Sequence, residues 1–558
     1  MLRFTASLIG LLFACMGGAQ SLTLTVSDSQ LRADHELSLV VVRLDALSAY
    51  DELTDYDEVF LSYQQENYRF DPPPEQLSLT EVYTVEYAGQ EYTLYFTELP
   101  LVAIHTTEPI PDEPKVAADF VYADADQVLH ATVGIELRGG SSQFYPKLTY
   151  DLEFWEDETG AETQEVQFSD LRSDDDWILD ALYNEPLRLR SYVAHQLWLD
   201  LHTPSYQTEE PEAKAGAGVL YVEVFLDGRY RGVYNLSEQI DRKLLKLKKF
   251  DGSIRGELFK GVTWGASTFG NLPFYSNNSR SWGGYELKYP KQSDTTEWQQ
   301  LYEFTDFVLN ASDTEFSDQL WNYFDYANYL DYFIFLNLLR ATDNTGKNIY
   351  LARYDVDSPY FYAPWDLDGC FGTIWDGSNE AVTDDLLTNG LHERVIALDP
   401  QNYSVDVADR WAALRGGILN EADLAARFTS RFHYLQDHKL YEREGLAFPE
   451  YDTDQNDLNY LTDWLYARLA FLDSYFDYTS EIRTAPVGAV PMLFPNPATT
   501  EVFLPENIPT GEPYHIFDST GRVVRRGTFV SEVISLNNLP AGVYLIRISS
   551  RSLRFVVQ

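Results

Sequence analysis

The first apolar pattern along the chain is strand-like. From Leu22 to about Leu99, the runs SLTLTV, LSLVVVRL, EVYTVEYA and EYTLYF are rich in β-branched and aromatic residues and partly alternate with polar ones, which predicts strands. Three prolines at 72–74 interrupt the pattern, because proline cannot donate a hydrogen bond to a strand ladder. We therefore expect a β-rich N-terminal region at residues 21–99, with no visible chemistry.

A helical pattern dominates parts of the central region, residues 100–483. Apolar residues recur there at spacings of three and four in PLRLRSYVAHQLWLDL, EWQQLYEFTDFVLN, FDYANYLDYFIFLNLLRA and DLNYLTDWLYARLAFLDSYF, which predicts helices with core-forming faces. Strand signals lie between these segments without a regular alternation. The fold class predicted for the chain is therefore α+β.

A composition change marks a third region. After Arg483 the chain passes through the Pro-rich stretch TAPVGAVPMLFPNPATT into short β-type runs. From Pro491 to Gln558 there are six arginines against five acids, whereas the whole chain has a formal net charge of −46. We expect a linker at 484–490 and a separate small β domain at 491–558.

Charge and the N-terminus limit the possible partners and location. An overall charge of −46 repels phosphates, so nucleic acid is not an expected partner. Arg3, an apolar run from about Leu8 to Met16 and the small residues Gly17 and Ala19 predict a secretory signal peptide at 1–20; a lipoprotein cysteine at position 15 is the alternative. No later stretch reaches the roughly 18 apolar residues that a transmembrane helix needs.

Several common sites lack their motifs. The sequence contains no H-E-x-x-H zinc motif, no G-x-S-x-G elbow and no P-loop, so zinc hydrolase, serine hydrolase and ordinary NTPase chemistry are not expected. Acidic residues around 452–463 fall near EF-hand ligand positions, but Asp457 stands where the loop needs glycine. A helix cap at Asp457 is the simpler interpretation.

One stretch contains candidate catalytic and metal-binding residues: LLRATDNTGKNIYLARYDVDSPYFYAPWDLDGCFG. Asp343 and Asn348 lie five residues apart in a polar turn after an apolar helix, and Asp366 and Asp368 lie in a Gly-flanked turn after two strand-like runs. Phosphoryl transfer needs in-line positioning and charge neutralisation, which magnesium held by carboxylate and amide oxygens supplies. The D-x-x-x-x-N spacing is the one that protein kinases use, although capping and turn carboxylates are the alternative in so acidic a chain.

Further stretches occur in an order shared with one family. They are IELRGGSSQFYPKLTYDLEFW, LRSDDDWILDALYNEPLRLRSYVAHQLW, VEVFLDGRYRGVYNLSEQID, GGYELKYP, NTGKNIYL and APWDLDGCFGTIW. With these, residues 100–483 resemble the CotH family of secreted atypical protein kinases. The resemblance implies an atypical protein-kinase-like fold that uses ATP and Mg²⁺ to phosphorylate Ser or Thr hydroxyls of a surface or secreted protein.

The resemblance also implies roles for individual residues. Asp343 would orient or deprotonate the acceptor hydroxyl, Asn348 and Asp366 would hold magnesium, and Asp368 would assist at a second ion or shape the turn. The residues implied to bind the nucleotide are Lys147, Arg138, Ser141 and Ser142, together with Glu238 as an ion-pair partner of a site cation. RGGSS replaces the family's commoner RGNSS, and PKLTY has one lysine where many relatives have two, so the sequence departs from the family at the phosphate loop.

The C-terminal region has its own resemblance. LFPNPATTEVFL, FDSTGRVVRRG and LNNLPAGVYLIRISSRSLRFVVQ resemble the C-terminal sorting domain of type IX secretion. This implies a β-sandwich read by the type IX machinery and a secreted or cell-surface protein. An ordinary immunoglobulin-like accessory domain is the alternative.

Three classes of function remain open from the sequence. The first is an exported ATP-dependent protein kinase. The second is a non-catalytic surface or adhesion protein that keeps the kinase fold, because ATP is scarce outside cells. The third is a glycan-acting enzyme that uses a pair of carboxylates, although spacing alone selects no pair.

Overall fold

The computed structural model describes residues 20–478, apart from residues 28, 48–49, 51–52 and 265–268, and parts of 498–557. The predicted signal peptide (except Gln20), Cys15 and the linker at 484–490 lie outside the described residues. The chain forms two compact units, residues 1–478 and 479–558. The first unit includes both the β-rich N-terminal region and most of the region predicted at 100–483.

The N-terminal region forms one mixed sheet whose apolar side chains make a core of their own. Its order is β1-β4-β5-β6-β7-β3-β2. The strands are β1 (Ser21–Thr25), β2 (Leu31–Asp34), β3 (Leu39–Arg43), β4 (Glu58–Tyr63), β5 (Glu66–Phe70), β6 (Val82–Tyr87) and β7 (Gln90–Thr97).

A closed barrel follows, in the order β10-β11-β14-β16-β15-β8-β9. Apolar side chains such as Leu152, Trp177 and Leu236 fill its interior, and alternate residues on the same strands face outward. The strands are β8 (Leu101–Thr106), β9 (Val116–Ala123), β10 (Val128–Leu137), β11 (Tyr150–Trp155), β12 (Val166–Gln167), β13 (Ser173–Asp174), β14 (Asp176–Asp180), β15 (Val219–Leu226) and β16 (Arg229–Glu238), of which β12 and β13 form a separate ribbon.

Helices and a five-stranded sheet complete the first unit. The sheet has the order β18-β19-β17-β20-β21. Its strands are β17 (Glu257–Gly261), β18 (Ser281–Trp282), β19 (Tyr285–Tyr289), β20 (Ile349–Arg353) and β21 (Tyr360–Pro364). The helices are α1 (Arg190–Leu201), α2 (Gln299–Asn310), α3 (Asp313–Tyr323), α4 (Tyr326–Leu339), α5 (Gly390–Leu398), α6 (Tyr403–Arg415), α7 (Glu421–Asp437), α8 (Leu440–Ala447) and α9 (Gln455–Tyr475).

The four segments with helical periodicity form α1, α2, α4 and α9. The mixture of helices and sheets confirms the α+β class. Side-chain caps fix several helix starts. At α9 the cap is Asp454, and Asp457 accepts a reciprocal bond from the Asp454 N–H at 3.1 Å, so these two carboxylates of the EF-hand-like segment cap a helix.

The N-terminal sheet packs directly on the barrel. Leu39 and Val41 of β3 share an apolar cluster with Phe225 and Tyr230 of the barrel. The Tyr95 hydroxyl donates to Glu442 of α8 at 2.9 Å. These contacts join the N-terminal sheet, the barrel and α8 into one unit.

The second unit is a small β structure. Its described strands are β22 (Glu501–Phe503), β23 (Pro513–Phe517), β24 (Val523–Thr528), β25 (Val533–Ser535), β26 (Gly542–Ile548) and β27 (Arg551–Val557). They form a pair β22-β25 and a four-stranded sheet β24-β23-β26-β27. In the described part of the chain, no helix has the length and apolar character needed to cross a bilayer.

A buried ion pair between α8 and the barrel yields a stability prediction. Arg443 binds Glu223 through two hydrogen bonds of 2.6 and 2.7 Å, and all of these side chains are fully buried. We expect Glu223→Gln to lower the free energy of unfolding by about 3–5 kcal/mol, because it leaves a buried guanidinium without its counter-charge. Urea denaturation measures the difference.

The exposed pair Arg69–Glu86, with N–O 2.7 Å, supplies the control. Glu86→Gln should change the free energy of unfolding by less than about 1 kcal/mol, since exposed pairs contribute little. The double variant Glu223→Leu/Arg443→Met should recover most of the loss. Equal effects of Glu223→Gln and Glu86→Gln would contradict the prediction.

Candidate active site

A cleft of about 1060 Å³ opens between the barrel and the five-stranded sheet. One wall is the outer face of β10, β11, β14 and β16, and the other is formed by β17, β19 and the loops that flank β20 and β21. Eight residues singled out in the sequence line this one cleft: Arg138, Ser141, Ser142, Lys147, Asp343, Asn348, Asp366 and Asp368.

Asp343 lies in a single 3-10 turn, Thr342–Thr345, just after α4. The helix ends because Arg340 adopts a left-handed conformation (φ 48°). Asp343 is half-buried, and burial raises the pKa of its carboxyl; the Lys347 ammonium opposes this shift and the Asp366 carboxylate adds to it. The residue is therefore a stronger base than a solvated carboxylate.

The hydrogen bonds that hold Asn348 in place are made by its backbone N–H and carbonyl. Its N–H donates to the Gly261 carbonyl at 3.2 Å, and its carbonyl accepts from the Trp365 N–H at 3.2 Å. Its φ of +54° lies in the left-handed region, which asparagine tolerates better than most residues. Asn344, which the sequence reasoning missed, donates to the carbonyls of Asn348 and Trp365 at 2.7 and 2.8 Å and so joins the two loops.

The second loop presents two carboxylates of different exposure. Asp366 is exposed and left-handed (φ +56°). Asp368 is half-buried and accepts from Asn184 Nδ2 at 2.7 Å and from the Gly369 N–H at 2.8 Å. Burial raises the pKa of Asp368, and the Asp366 carboxylate raises it further.

Asp180 is a third carboxylate at this end of the cleft, and the sequence reasoning missed it. It ends β14, one residue past the barrel-facing Leu179. Burial raises its pKa to about 6, the Leu182 N–H opposes the shift, and the Asp366 carboxylate adds to it. Trp177 and Leu179 of β14 face the barrel interior, so the two-residue period of a strand places Asp180 on the opposite face.

Lys147 is fixed at the barrel side of the cleft. Its side chain is 1% exposed, and Nζ donates to Glu444 Oε1 at 2.7 Å and to the Val233 carbonyl at 2.5 Å. Burial lowers its pKa to about 8 despite the Glu444 carboxylate. Arg188 Nη2 shares the same carboxylate oxygen at 3.0 Å, so the single carboxylate of Glu444 on α8 pairs with two buried cations.

Gly232 makes room for that carboxylate. A Cβ at this position would stand 1.9 Å from Glu444 Oε2, and its φ of +81° is left-handed. The next N–H, that of Val233, donates to Glu444 Oε2 at 2.9 Å. Glycine is therefore required where α8 meets β16.

Glu238 has a different role from the one implied by the family resemblance. It is fully buried, and its carboxylate accepts from Lys214 Nζ at 2.6 Å and from the backbone N–H groups of Arg172 and Gly218 at 2.7 Å each. Ser237, the preceding residue of β16, lines the cleft. Successive side chains of a strand point to opposite faces, so Glu238 lies on the other side of the strand and Glu444 is the partner of Lys147.

The loop from Arg138 to Ser142 lies across the cleft from the aspartates. Arg138 binds Asp151, and its guanidinium lies over the Trp365 ring at 5.5 Å. Ser142 Oγ donates to the Arg138 carbonyl at 3.2 Å, and Ser141 begins a 3-10 turn. The loop thus places one guanidinium and two hydroxyls at the cleft wall.

The acidic side chains fit a cation. Among the described residues, no lysine or arginine lies within 4.0 Å of the carboxylates of Asp180, Asp343, Asp366 or Asp368. Carboxylate and amide oxygens are the ligands that magnesium prefers. The Asp366 carboxylate raises the pKa values of Asp180, Asp343 and Asp368. A divalent ion bound among these carboxylates would relieve this repulsion.

A tighter acidic group occurs elsewhere in the cleft. In the described ranges, one group of three carboxylates has ligand atoms that all lie within 4.8 Å of one another. It consists of Asp174, Asp175 and Asp176. Lys243 binds Asp174 at 2.6 Å and also binds Asp175, while Arg172 binds Asp174. The protein's own cations therefore pair with two members of this group, Asp174 and Asp175, and these ion pairs do not include Asp176.

These features define an α+β protein with one wide, charged cleft between a closed barrel and a mixed sheet. The family model described as CotH kinase protein matches residues 135–472, and the chain belongs to this family. The model described as secretion system C-terminal sorting domain matches residues 492–558. No curated protein matches the chain.

Both resemblances seen in the sequence are thereby confirmed. The C-terminal sorting domain indicates secretion to the cell surface by the type IX system. The N-terminal sheet, residues 21–97, lies outside both matched ranges.

Asp176 yields a pH-dependent prediction. It faces Glu153 directly across the β11–β14 pair, and burial together with the neighbouring carboxylates raises its pKa to about 7. A raised pKa means that ionisation opposes folding, fully so above pH 7 and not at all below about pH 4. We expect Asp176→Asn to raise the melting temperature by a few degrees at pH 8, roughly 2–4 °C per kcal/mol, and by nothing near pH 4.

Differential scanning calorimetry from pH 4 to 8 measures this gain. Asp126→Asn, at the exposed turn between β9 and β10, serves as the matched control and should show little change at any pH. A gain for Asp176→Asn that is independent of pH would contradict the prediction.

Proposed function

We propose that this chain is an exported protein kinase that uses ATP and Mg²⁺ to phosphorylate Ser or Thr hydroxyls of a surface or secreted protein. The observation that carries the proposal is that Asp343, Asn348 and Asp366 line the same cleft as Lys147. A kinase-like central domain at 100–483 and a β-sandwich at 491–558 belong to the same proposal.

Asp343 would accept the proton of the acceptor hydroxyl. Its burial favours proton uptake, and its backbone carbonyl accepts from the Lys347 N–H at 2.9 Å in the turn after α4. In the step, the hydroxyl oxygen bonds to the γ-phosphorus while the bond between that phosphorus and the β–γ bridging oxygen breaks. ADP leaves with the bond electrons, and the proton passes through Asp343 to solvent.

Asn348 and Asp366 would hold magnesium, with Asp368 beside them. When bound, the ion neutralises charge that develops on the phosphate oxygens. The left-handed backbone at both Asn348 and Asp366 directs the two side chains from tight turns rather than from regular strands. Asn344 keeps the turns together, so the ligand set is preorganised.

Lys147 and the Arg138 loop would bind the nucleotide phosphates from the barrel side. The Lys147 ammonium has three N–H groups, and Glu444 and Val233 accept two of them. Arg138 has further N–H donors beyond the one that Asp151 accepts. Ser141 and Ser142 add hydroxyls at the same wall.

Two variants separate binding from transfer. Purified full-length protein should bind ATP in the presence of Mg²⁺, and Asp366→Ala should weaken this by roughly tenfold or more, because one charged ligand is worth about 1.5–3 kcal/mol. Asp343→Asn should keep ATP binding within about threefold while transfer to an exported protein falls by about 10²–10⁴. Calorimetry and incorporation of labelled phosphate measure the two quantities.

Asp126→Asn is the control for both measurements. Binding of ATP without any incorporation of phosphate, into the chain itself or into exported proteins, would favour the non-catalytic surface protein with the same fold. If the wild-type protein does not bind Mg–ATP at all, the proposed function is wrong.

A further inference from the structure

Lys260 is a cation of the cleft that no motif identified. It lies on β17, next to Gly261, whose carbonyl holds the Asn348 backbone. The side chain is half-buried and lines the cleft on the sheet side. In the part of the chain that the structure describes, no carboxylate lies within 4.0 Å of its ammonium.

Two other cations lie near Lys260. Burial lowers the pKa of Lys260 to about 8, and the charges of Arg138 and Lys288 lower it further, whereas the Asp366 and Glu286 carboxylates oppose the shift. The carboxylate that faces it across the β17–β19 pair is Glu286, but Lys288 Nζ binds Glu286 at 3.1 Å. Three cations therefore share this part of the cleft in a chain whose net charge is −46.

Such an arrangement opposes folding unless a ligand relieves it. A buried ammonium without a counter-ion is unfavourable, and two neighbouring cations make it more so. An anion with several charges would bind all three cations at once. Lys147 differs from Lys260, because its ammonium is almost fully buried and directly contacts the Glu444 carboxylate at 2.7 Å.

We propose that Lys260, together with Arg138 and Lys288, forms a subsite for consecutive phosphate groups of a nucleoside polyphosphate on the sheet side of the cleft. The subsite rests on the proposed function, because it serves the same nucleotide. It also predicts specificity: the affinity for a nucleotide depends on its number of phosphates, and Lys260 is the residue responsible for this dependence.

The test compares ATP, ADP, AMP and inorganic tripolyphosphate, each with Mg²⁺, by calorimetry on the full chain. The affinity of the wild-type protein should be highest for ATP, lower for ADP and lowest for AMP. Lys260→Met should weaken ATP and tripolyphosphate by roughly tenfold to hundredfold and should change AMP far less, so the differences between the nucleotides shrink. Lys249→Met, an exposed lysine outside the cleft lining, is the matched control and should leave all four affinities unchanged.

Melting temperature without ligand gives an independent readout. Lys260→Met should melt at or above the wild-type temperature, since it removes an uncompensated buried charge. A lower melting temperature would mean that Lys260 stabilises the fold by a contact, which would overturn the subsite. Lys288→Met changes an exposed side chain that folding tolerates, and it should weaken tripolyphosphate binding in the same direction but less.

The remaining outcomes separate the two proposals. If Lys260→Met binds ATP as wild type does while Asp366→Ala does not, the subsite is wrong and the kinase function stands. If wild-type protein binds tripolyphosphate through Lys260 but does not bind ATP, the three cations form a site for inorganic polyphosphate, and both the nucleotide subsite and the kinase function are wrong. Failure to bind either ligand overturns both.

Discussion

The buried contact between Lys147 and Glu444 is the interaction on which the rest of the site depends. It joins a residue just before β11 to one on α8 that is 297 positions away. Because Glu444 also neutralises Arg188 and accepts the Val233 N–H, the barrel, the entry to α1 and α8 all meet at a single carboxylate. Removing it would leave two buried cations without a counter-charge, so this carboxylate links the barrel wall of the cleft to α8.

The two residues before Glu444 extend this constraint. Glu442 accepts from Tyr95 of the N-terminal sheet, and Arg443 binds Glu223 of the barrel. Three consecutive residues of the short helix α8 therefore contact the N-terminal sheet, strand β15 of the barrel and Lys147 in the cleft. The N-terminal sheet, which carries no chemistry of its own, thus supports the helix that positions Lys147.

Local sequence patterns predicted one half of the site and missed the other. Asp343, Asn348, Asp366 and Asp368 lie in tight turns close together in sequence. Their spacing alone left capping and turn carboxylates as the alternative, and the CotH-like stretches in order along the chain selected them. Glu444 has no such signal, because only the folded chain brings α8 to β16. Glu238 was predicted as a partner for a site cation, but strand alternation turns it away from the face that carries Ser237. The fold class and most helices with clear periodicity were predictable, whereas closure of the barrel depends on non-local pairing such as the parallel β8–β15 contact.

Buried ion pairs also replace covalent cross-links in this exported chain. Cys370 is the single cysteine in the described part of the chain, and it is buried and free. Its Sγ donates to the Leu367 carbonyl at 3.1 Å, so it packs beneath the aspartate loop instead of forming a disulfide. Pairs such as Arg353–Glu257 and Arg443–Glu223 connect segments far apart in sequence, as disulfides would. Unlike disulfides, these pairs do not depend on the redox state outside the cell, and each holds its geometry only while both partners stay buried.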